Sequence, residues 1–175
     1  FETERAMDDY LSEHSNAPIT SLGEILLSGV VIPWRARGMM GSVGKTTDDL
    51  GYLEVIQKRE TLRQNVLKVM ADQALDAIVY ATFDHQPTLI APDAETNPEP
   101  EDDYGLGSNR ALSPAVGFPA LTVPAGFTTD QLPVGLEFLG RPFTEEMLLG
   151  FGYAYEQATH HRRPPPTTPG LAGGR

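Results

Sequence analysis

One short stretch of the sequence has the composition of a catalytic or phosphate-binding loop. It runs Gly-Ser-Val-Gly-Lys-Thr over residues 41–46. A phosphate loop needs another glycine with four residues between it and the Gly-Lys-Thr, because several backbone amides must converge on the anion. Met39 occupies that position, and Gly38 lies one residue too early. We therefore expect a solvated loop here, and nucleotide binding through Lys45 is kept as a lesser alternative.

The same stretch contains Ser42-x-x-Lys45, the spacing of a serine nucleophile beside a lysine base. That pair functions only when both residues share one helical turn, and Gly44 between them disfavours a helix. The companion motifs Ser-Asp-Asn and Lys-Thr-Gly are absent from the sequence. The spacing therefore does not predict a catalytic pair.

Two polar residues, Asp84 and His85, follow a predicted buried strand. Polar side chains at the carboxyl end of a strand often line a pocket in α/β folds. Both residues are therefore candidates for lining a substrate pocket. No metal site is predicted, because His160 and His161 are adjacent and point apart on a helix. The acidic stretch 93–103 lacks the regular alternation and central glycine of a calcium loop.

Composition excludes several classes of function. The 175 residues carry a net charge of −11, which gives no support to binding nucleic acid or an anionic membrane surface. There is no cysteine, so disulfides and thiolate chemistry are excluded. No apolar run is long enough to span a bilayer. The compartment stays unknown from sequence, with the cytoplasm favoured. Because residue 1 is Phe1, we expect a processed product or a piece of a longer chain.

The elements that must position these residues follow from hydrophobic periodicity. The order of the predicted elements gives an α/β or α+β chain, of which α/β is preferred, with one folded segment over 1–163 and a Pro/Gly-rich tail over 164–175. Residues 33–44 are predicted to form a loop. The predicted helices cover 3–13, 20–28, 50–75 and 144–158, and the predicted strands cover 76–82, 118–124 and 134–139. Three apolar strands need more neighbours to cover both faces, so we expect a sheet that is incomplete on its own.

Two dense motifs carry a resemblance to a known family. Residues 117–126 read Gly-Phe-Pro-Ala-Leu-Thr-Val-Pro-Ala-Gly, and residues 132–142 read Leu-Pro-Val-Gly-Leu-Glu-Phe-Leu-Gly-Arg-Pro. They resemble the C-terminal signature of the amidase-signature family, which includes bacterial and fungal amidases and the A subunit of glutamyl-tRNA amidotransferase. The match is dense over 76–169 and sparser before it. The resemblance implies the C-terminal part of that fold, a mixed sheet flanked by helices.

The resemblance also implies a reaction. Family members hydrolyse carboxamides as serine hydrolases, through a serine nucleophile, a second serine with a cis peptide bond, and a lysine base. An acyl-enzyme forms and water releases it. Those residues lie in the family's N-terminal half, around a Gly-Gly-Ser-Ser-Gly run that this chain lacks. No catalytic residue is therefore assigned, no cofactor is implied, and the isolated chain is predicted to be inactive.

The role left to this chain is structural and substrate-facing. It is expected to complete the sheet, and the loop over 83–113 is expected to wall the pocket. Asn109 lies where relatives place a polar residue near the substrate, so it joins Asp84 and His85 as a pocket candidate. The implied partners are a small amide substrate and an N-terminal amidase segment, in cis or in trans. The alternative is a non-catalytic partner-binding module derived from the amidase fold.

Overall fold

The computed structural model describes residues 1–83, 85–87, 89–97, 109–165 and 168. The chain divides into two compact units. The first comprises Phe1–Lys58 and Pro87–Tyr104, and the second comprises Arg59–Gln86 and Gly105–Arg175. No helix in the described residues is both long and apolar enough to cross a bilayer.

Three short helices build the first unit, followed by the start of a long one. They are α1 (Thr3–Ser12), α2 (Leu22–Leu27) and α3 (Pro33–Met40), and the long helix is α4 (Leu50–Asp72). The sequence predicted α1 over residues 3–13 and α2 over residues 20–28. Helix α2 begins where the Ser21 hydroxyl accepts a hydrogen bond from the Glu24 N–H, at 3.1 Å. Such a cap satisfies one of the amides left without a partner at a helix start.

Helix α3 occupies a segment for which the sequence predicted a loop, so that prediction was wrong over Pro33–Met40. Proline and glycine usually disfavour a helix, and the segment contains one proline and several glycines. Pro33 lies in the first turn, where a fixed φ suits the helix and the missing N–H costs nothing. Gly41 stands at the other end, as the C-cap residue. Pro33 and Gly41 therefore mark the two ends of a helix here, and Gly38 lies inside it.

Helix α4 ends earlier than the predicted residue 75, and a left-handed residue ends it. Ala74 has a φ of 50°. Its N–H donates to the Ala71 carbonyl, and the Leu75 N–H reaches back to the Met70 carbonyl at 2.8 Å. This pair of hydrogen bonds is a Schellman motif, which satisfies carbonyls that the helix leaves open.

The second unit is built on a three-stranded sheet. Its strands are β1 (Ile78–Ala81), β2 (Ala120–Phe127) and β3 (Pro133–Leu139), in the spatial order β1-β3-β2. The predicted α/β class holds, but both strand pairs are antiparallel, where a mixed sheet was expected. The short connection between β2 and β3 explains one pair, since only antiparallel strands can be joined by a tight turn. Strand β2 continues past its predicted end at residue 124 through an irregularity between Pro124 and Gly126.

Each face of the sheet has its own apolar core. On the α4 face, Leu139 packs with Val116 and Phe118, and Val66 and Leu67 of α4 lie against this cluster. Val116 belongs to a short helix, α5 (Leu112–Val116). On the opposite α6 face, helix α6 (Glu145–Thr159) covers the sheet. The cluster there is Val123, Phe138 and Leu148, with Phe151 and Tyr155 packed against it.

Helix α6 starts one residue after the predicted position 144. Thr144 stands at its N-cap, but its side chain makes no capping hydrogen bond. The Thr144 hydroxyl donates instead to the Arg141 carbonyl at 2.7 Å. The helix ends at Thr159, one residue later than predicted, with His160 in the left-handed region.

Candidate functional site

The predicted pocket residues lie after β1 and before α5. Asp84 falls outside the described residues. His85 is half-buried, and Asn109 is exposed at the start of a short 3₁₀ helix, Asn109–Ala111. His85 and Asn109 therefore stay candidates, and they lie on either side of the partly described segment between β1 and α5.

Phe83 connects the neighbourhoods of these two candidates. Its ring meets the His85 ring edge-on, with centroids 6.4 Å apart and an interplanar angle of 84°. The Arg110 guanidinium carbon lies 5.5 Å from the centroid of the same ring. A guanidinium over an aromatic face is an attractive cation–π arrangement. The structure thus places an imidazole and a guanidinium around one aromatic ring just beyond β1.

Sequence reasoning missed Arg110, although it is next to the candidate Asn109. A guanidinium offers five donors in a planar fork and never loses its charge, so it binds carboxylate and amide oxygens well. The signal that pointed to it was weak: one cation next to an acidic loop in a chain of net charge −11.

A row of polar side chains crosses the sheet on its α4 face. Tyr80, Glu137 and Thr122 are cross-strand partners on β1, β3 and β2. The Tyr80 hydroxyl donates to Glu137 Oε1 at 2.7 Å, and the Thr122 hydroxyl donates to Oε2 at 3.3 Å. Glu137 is only 6% exposed. A buried carboxylate is tolerated only when hydrogen bonds replace its lost hydration, and these two hydroxyls supply them.

The environment of Tyr80 keeps its hydroxyl protonated. Burial, followed by the hydrogen bond to Glu137, raises the pKa of Tyr80 well above its usual range. Ionising the phenol would place a second negative charge beside the Glu137 carboxylate. Tyr80 is therefore held as a hydrogen-bond donor at all physiological pH values.

The polar row continues toward the pocket candidates. Thr82, the residue after β1, has its hydroxyl oxygen 3.4 Å from that of Thr122. Gly135 lies between them on β3, and a Cβ there would stand 2.8 Å from Thr122 Cγ2 and 3.1 Å from Thr82 Oγ1. Glycine is therefore required at this motif position for the two threonines to approach. The row runs from buried Glu137 to a point one residue before Phe83.

The motifs that build this geometry match an established family. The family model for amidases matches residues 25–149, which is more than half of the chain. The chain belongs to the amidase family. The family resemblance seen in the sequence is thereby confirmed.

Curated relatives agree with this family assignment. The chain is 36% identical over 128 residues to the A subunit of the glutamyl-tRNA(Gln) amidotransferase from Desulforudis audaxviator, covering 70% of this chain and 24% of the relative. The corresponding protein from a Synechococcus strain is 30% identical over 172 residues, covering 94% of this chain and 32% of the relative. This amidase-family chain thus spans between a quarter and a third of these relatives.

Solved structures agree in fold. An amidase family protein from Bacillus anthracis superimposes with a TM-score of 0.67 and 27% identity, covering 94% of this chain and 29% of that protein. Native peptide amidase from Stenotrophomonas maltophilia gives a TM-score of 0.68 and 27% identity, covering 94% of this chain and 33% of that protein. The arrangement of the chain is therefore that of about one third of a larger amidase fold.

Other residues of the amidase motif have scaffold roles. Arg141, in the Gly-Arg-Pro that follows β3, donates to the Leu75 carbonyl at 2.7 Å and approaches the Met70 carbonyl at 3.5 Å. Both carbonyls lie at the end of α4, where a cation also complements the helix dipole. Arg141 therefore links the end of α4 to the end of β3. Because β1 begins three residues after Leu75, this link also positions the start of β1.

The glycine-rich stretch near Lys45 has no geometry for binding a phosphate. A phosphate loop presents several free amides, but the amides of Ser42, Val43 and Lys45 donate to carbonyls within the turn. The Gly44 N–H donates to the Glu4 carboxylate at 2.6 Å, and the Thr46 N–H donates to Asp49 at 2.7 Å. All five successive amides already have acceptors, which argues against nucleotide binding through Lys45.

The described residues contain no group of three or more His, Asp or Glu side chains able to hold a metal ion. The acidic stretch 93–103 lies within them only as far as residue 97. The described part of the site therefore consists of hydroxyl, carboxylate, imidazole, amide and guanidinium groups, which can bind and orient a polar substrate.

Proposed function

We propose that this chain is the C-terminal portion of a carbon–nitrogen hydrolase that acts on carboxamides. In this proposal the rest of the polypeptide, in cis or in trans, supplies a Ser–cis-Ser–Lys triad. The present segment completes the sheet and walls the substrate pocket. One observation carries the proposal: an amidase-family segment spans about a quarter to a third of its relatives and lacks the Gly-Gly-Ser-Ser-Gly run.

The proposed reaction is acyl transfer to serine. The serine oxygen attacks the amide carbon, the C–N bond breaks, and the protonated amine or ammonia leaves. Water then attacks the ester of the acyl-enzyme, which releases the carboxylic acid and returns the proton to the serine. Neither step needs a cofactor. This chain would contribute substrate positioning, which alone supports a large part of an enzymatic rate.

The proposed pocket wall is the segment over residues 83–113. Asp84, His85 and Asn109 are its candidate substrate contacts, and Arg110 joins them because it shares the Phe83 ring with His85. An amide substrate offers one carbonyl acceptor and one N–H donor. Imidazole, carboxamide and guanidinium groups can donate to the first, and a carboxylate can accept from the second. A small amide is therefore the substrate class that fits these groups.

The proposal can be tested with a hybrid enzyme, defined as the Stenotrophomonas maltophilia peptide amidase with its matching third replaced by this chain. We expect the hybrid to hydrolyse the parent's amide substrate and this chain alone to be inactive. His85→Ala and Asn109→Ala should raise KM in the hybrid while its melting temperature stays unchanged. Glu13→Ala, an exposed position in the first unit, is the matched control.

The alternative function is a partner-binding module without catalysis. It is favoured by apolar side chains exposed around α6, where Phe143 is 94% exposed and Leu149 and Tyr153 are also exposed. Large exposed apolar side chains that cluster mark interaction surfaces. The relatives are named as subunits of an amidotransferase, which is compatible with assembly into a complex. A stable complex that never turns over an amide would support this alternative.

A further inference from the structure

Helix α6 has an outer surface that the sheet does not cover. Its buried residues, Leu148 and Gly152, are on the side that packs against β2 and β3. On the other side, Leu149 is 62% exposed and Tyr153 is 66% exposed. These two residues are four positions apart, so they lie together on one side of the helix. In the described part of the chain, α6 therefore leaves two large apolar side chains in solvent.

The outer surface of α6 combines a protruding ring with a gap. Gly150 lies three residues before Tyr153, and a Cβ added at Gly150 would meet open space. Glycine inside a helix is less favourable than alanine, and packing within the described chain does not require it here. Glu146 lies four residues before Gly150, and Gln157 lies four residues after Tyr153. We define the outer surface by these four residues and Leu149.

The outer surface is complementary to a second copy of itself that runs antiparallel. When Gly150 of one copy lies beside Tyr153 of the other, two-fold symmetry repeats the contact in reverse, because such an interface uses the same surface twice. Each ring then fills the space over the other copy's glycine. The same register places Glu146 beside Gln157. The spacing of four, three and four residues along this surface is that of a seam between two packed helices.

The charges at the two ends of α6 favour the antiparallel direction. Glu145 and Glu146 occupy its first turn, and the helix contains no lysine or arginine. Two histidines, Arg162 and Arg163 follow its last turn, and all four are exposed. Antiparallel packing brings the acidic start of each helix toward the basic segment after the other, whereas parallel packing brings like charges together. This attraction opposes the repulsion between two chains of net charge −11, which salt screens beyond about 8 Å.

We propose that this chain forms a two-fold dimer through the outer surface of α6, with Tyr153 of each copy packed over Gly150 of the other. The inference does not depend on the proposed function, because it uses no catalytic residue and no substrate contact. A second copy is the preferred occupant because the shape and the charges of this surface complement the surface itself. A different protein would have to reproduce both features.

Cross-linking tests the register of this dimer, since the chain contains no cysteine of its own. Glu146→Cys and Gln157→Cys place single thiols at exposed positions near the two ends of the outer surface. We expect a short bismaleimide to join the two variants when they are mixed. Either variant alone should give on the order of tenfold less product, because like positions lie about 16 Å apart along antiparallel axes. Equal cross-linking of each variant to itself would overturn the antiparallel register, and no product from the mixture would overturn the dimer.

A substitution at Gly150 separates the interface from the fold. In dilute solution, Gly150→Gln should raise the melting temperature, because glutamine forms helix better than glycine. In sedimentation velocity over a concentration series, the same variant should dimerise roughly tenfold or more weakly, because its side chain occupies the space of the other copy's Tyr153. Ala158→Gln, at an exposed position on another side of α6, is the matched control and should leave dimerisation unchanged. A parent chain that stays monomeric, or equal weakening by both variants, would overturn the proposal.

The hybrid enzyme tests whether the rest of an amidase polypeptide covers this surface instead. We expect the hybrid to dimerise and to lose the dimer on Gly150→Gln. A monomeric hybrid in which the thiol of Gln157→Cys no longer reacts with a maleimide would assign the surface to the rest of the polypeptide and overturn the proposal. Amide hydrolysis is measured in parallel. A dimer without hydrolysis retains this inference and removes the proposed function, and hydrolysis by a monomer does the reverse.

Discussion

Tyr80 and Glu137 form a 2.7 Å hydrogen bond between adjacent strands, with the carboxylate almost fully buried on the α4 face of the sheet. The Thr122 hydroxyl, on β2, donates a hydrogen bond to the other oxygen of the Glu137 carboxylate. All three strands therefore meet at one polar position inside an otherwise apolar sheet. Fully satisfied buried networks specify one arrangement, and partly satisfied ones are costly. The register of the sheet should depend on this position.

Removing the carboxylate should destabilise the second unit strongly. Glu137→Ala leaves the Tyr80 and Thr122 hydroxyls without their acceptor and opens a cavity, which should cost about 2–4 kcal/mol in urea unfolding. Glu137→Gln keeps the shape and one acceptor oxygen, so it should cost less than half as much. An equal loss for the two variants would show that the hydrogen bonds contribute nothing beyond volume.

The raised pKa of Tyr80 predicts a dependence of stability on alkaline pH. In the unfolded chain tyrosine ionises near its ordinary pKa of about 10, whereas in the fold it resists ionisation. The stability contributed by neutral Tyr80 is therefore complete below about pH 10 and is lost as the pH rises above it. Urea midpoints measured between pH 8 and pH 11 should fall less steeply for Tyr80→Phe than for the parent chain. Tyr153→Phe, at an exposed position, should leave the slope unchanged.

Two glycines of α6 should respond oppositely to alanine. A Cβ at Gly152 would lie 2.5 Å from Leu121 Cδ2 and 3.3 Å from Val123 Cγ1, so Gly152→Ala requires the Leu121 side chain or the helix to shift and should cost about 1–3 kcal/mol. Gly150, half a turn earlier, has open space around it. Gly150→Ala should stabilise the fold by up to about 1 kcal/mol through helix propensity. Thermal melts of the two variants check the prediction, and destabilisation by both would refute the packing argument.

The residue that ends α4 offers a stabilising change. Ala74 occupies the left-handed region, which a side chain disfavours and glycine adopts freely. Ala74→Gly should therefore stabilise the fold by about 1 kcal/mol. Ala154→Gly, in the interior of α6, should do the opposite by a similar amount. Chemical denaturation of both variants, with unchanged m-values, is the measurement.

The sequence predicted the helices and strands better than it predicted the polar residues of the candidate site. The two motifs at 117–126 and 132–142 carry strong local signals, and they contain all of β3 and all of β2 except its last residue, Phe127. Helix α3 was missed because proline and glycine stop a helix in most contexts, whereas Pro33 begins this one, Gly38 lies inside it and Gly41 caps its end. The antiparallel pairing of β1 with β3 depends on contacts about 57 residues apart, which no local pattern encodes.

The polar row was missed for a related reason. Glu137 lies in a run of apolar residues. Its hydrogen bonds cannot be predicted from that run, because Tyr80 and Thr122 become its neighbours only through the strand register. A single acidic residue inside an apolar strand was the available signal. Likewise Arg110 became part of the candidate site only through the Phe83 ring, which links two segments that are distant in sequence.

The central claim is that this amidase-family chain supports amide hydrolysis only when joined to a segment that carries the triad. The most direct measurement is the rate of amide release by the isolated chain, its Ser42→Ala/Lys45→Ala double variant and the hybrid enzyme, under identical conditions. We expect turnover by the hybrid and none by either form of the isolated chain. Turnover by the isolated chain would contradict the claim, because the chain would then contain an active site of its own, and loss of that turnover in the double variant would place the site at Ser42 and Lys45.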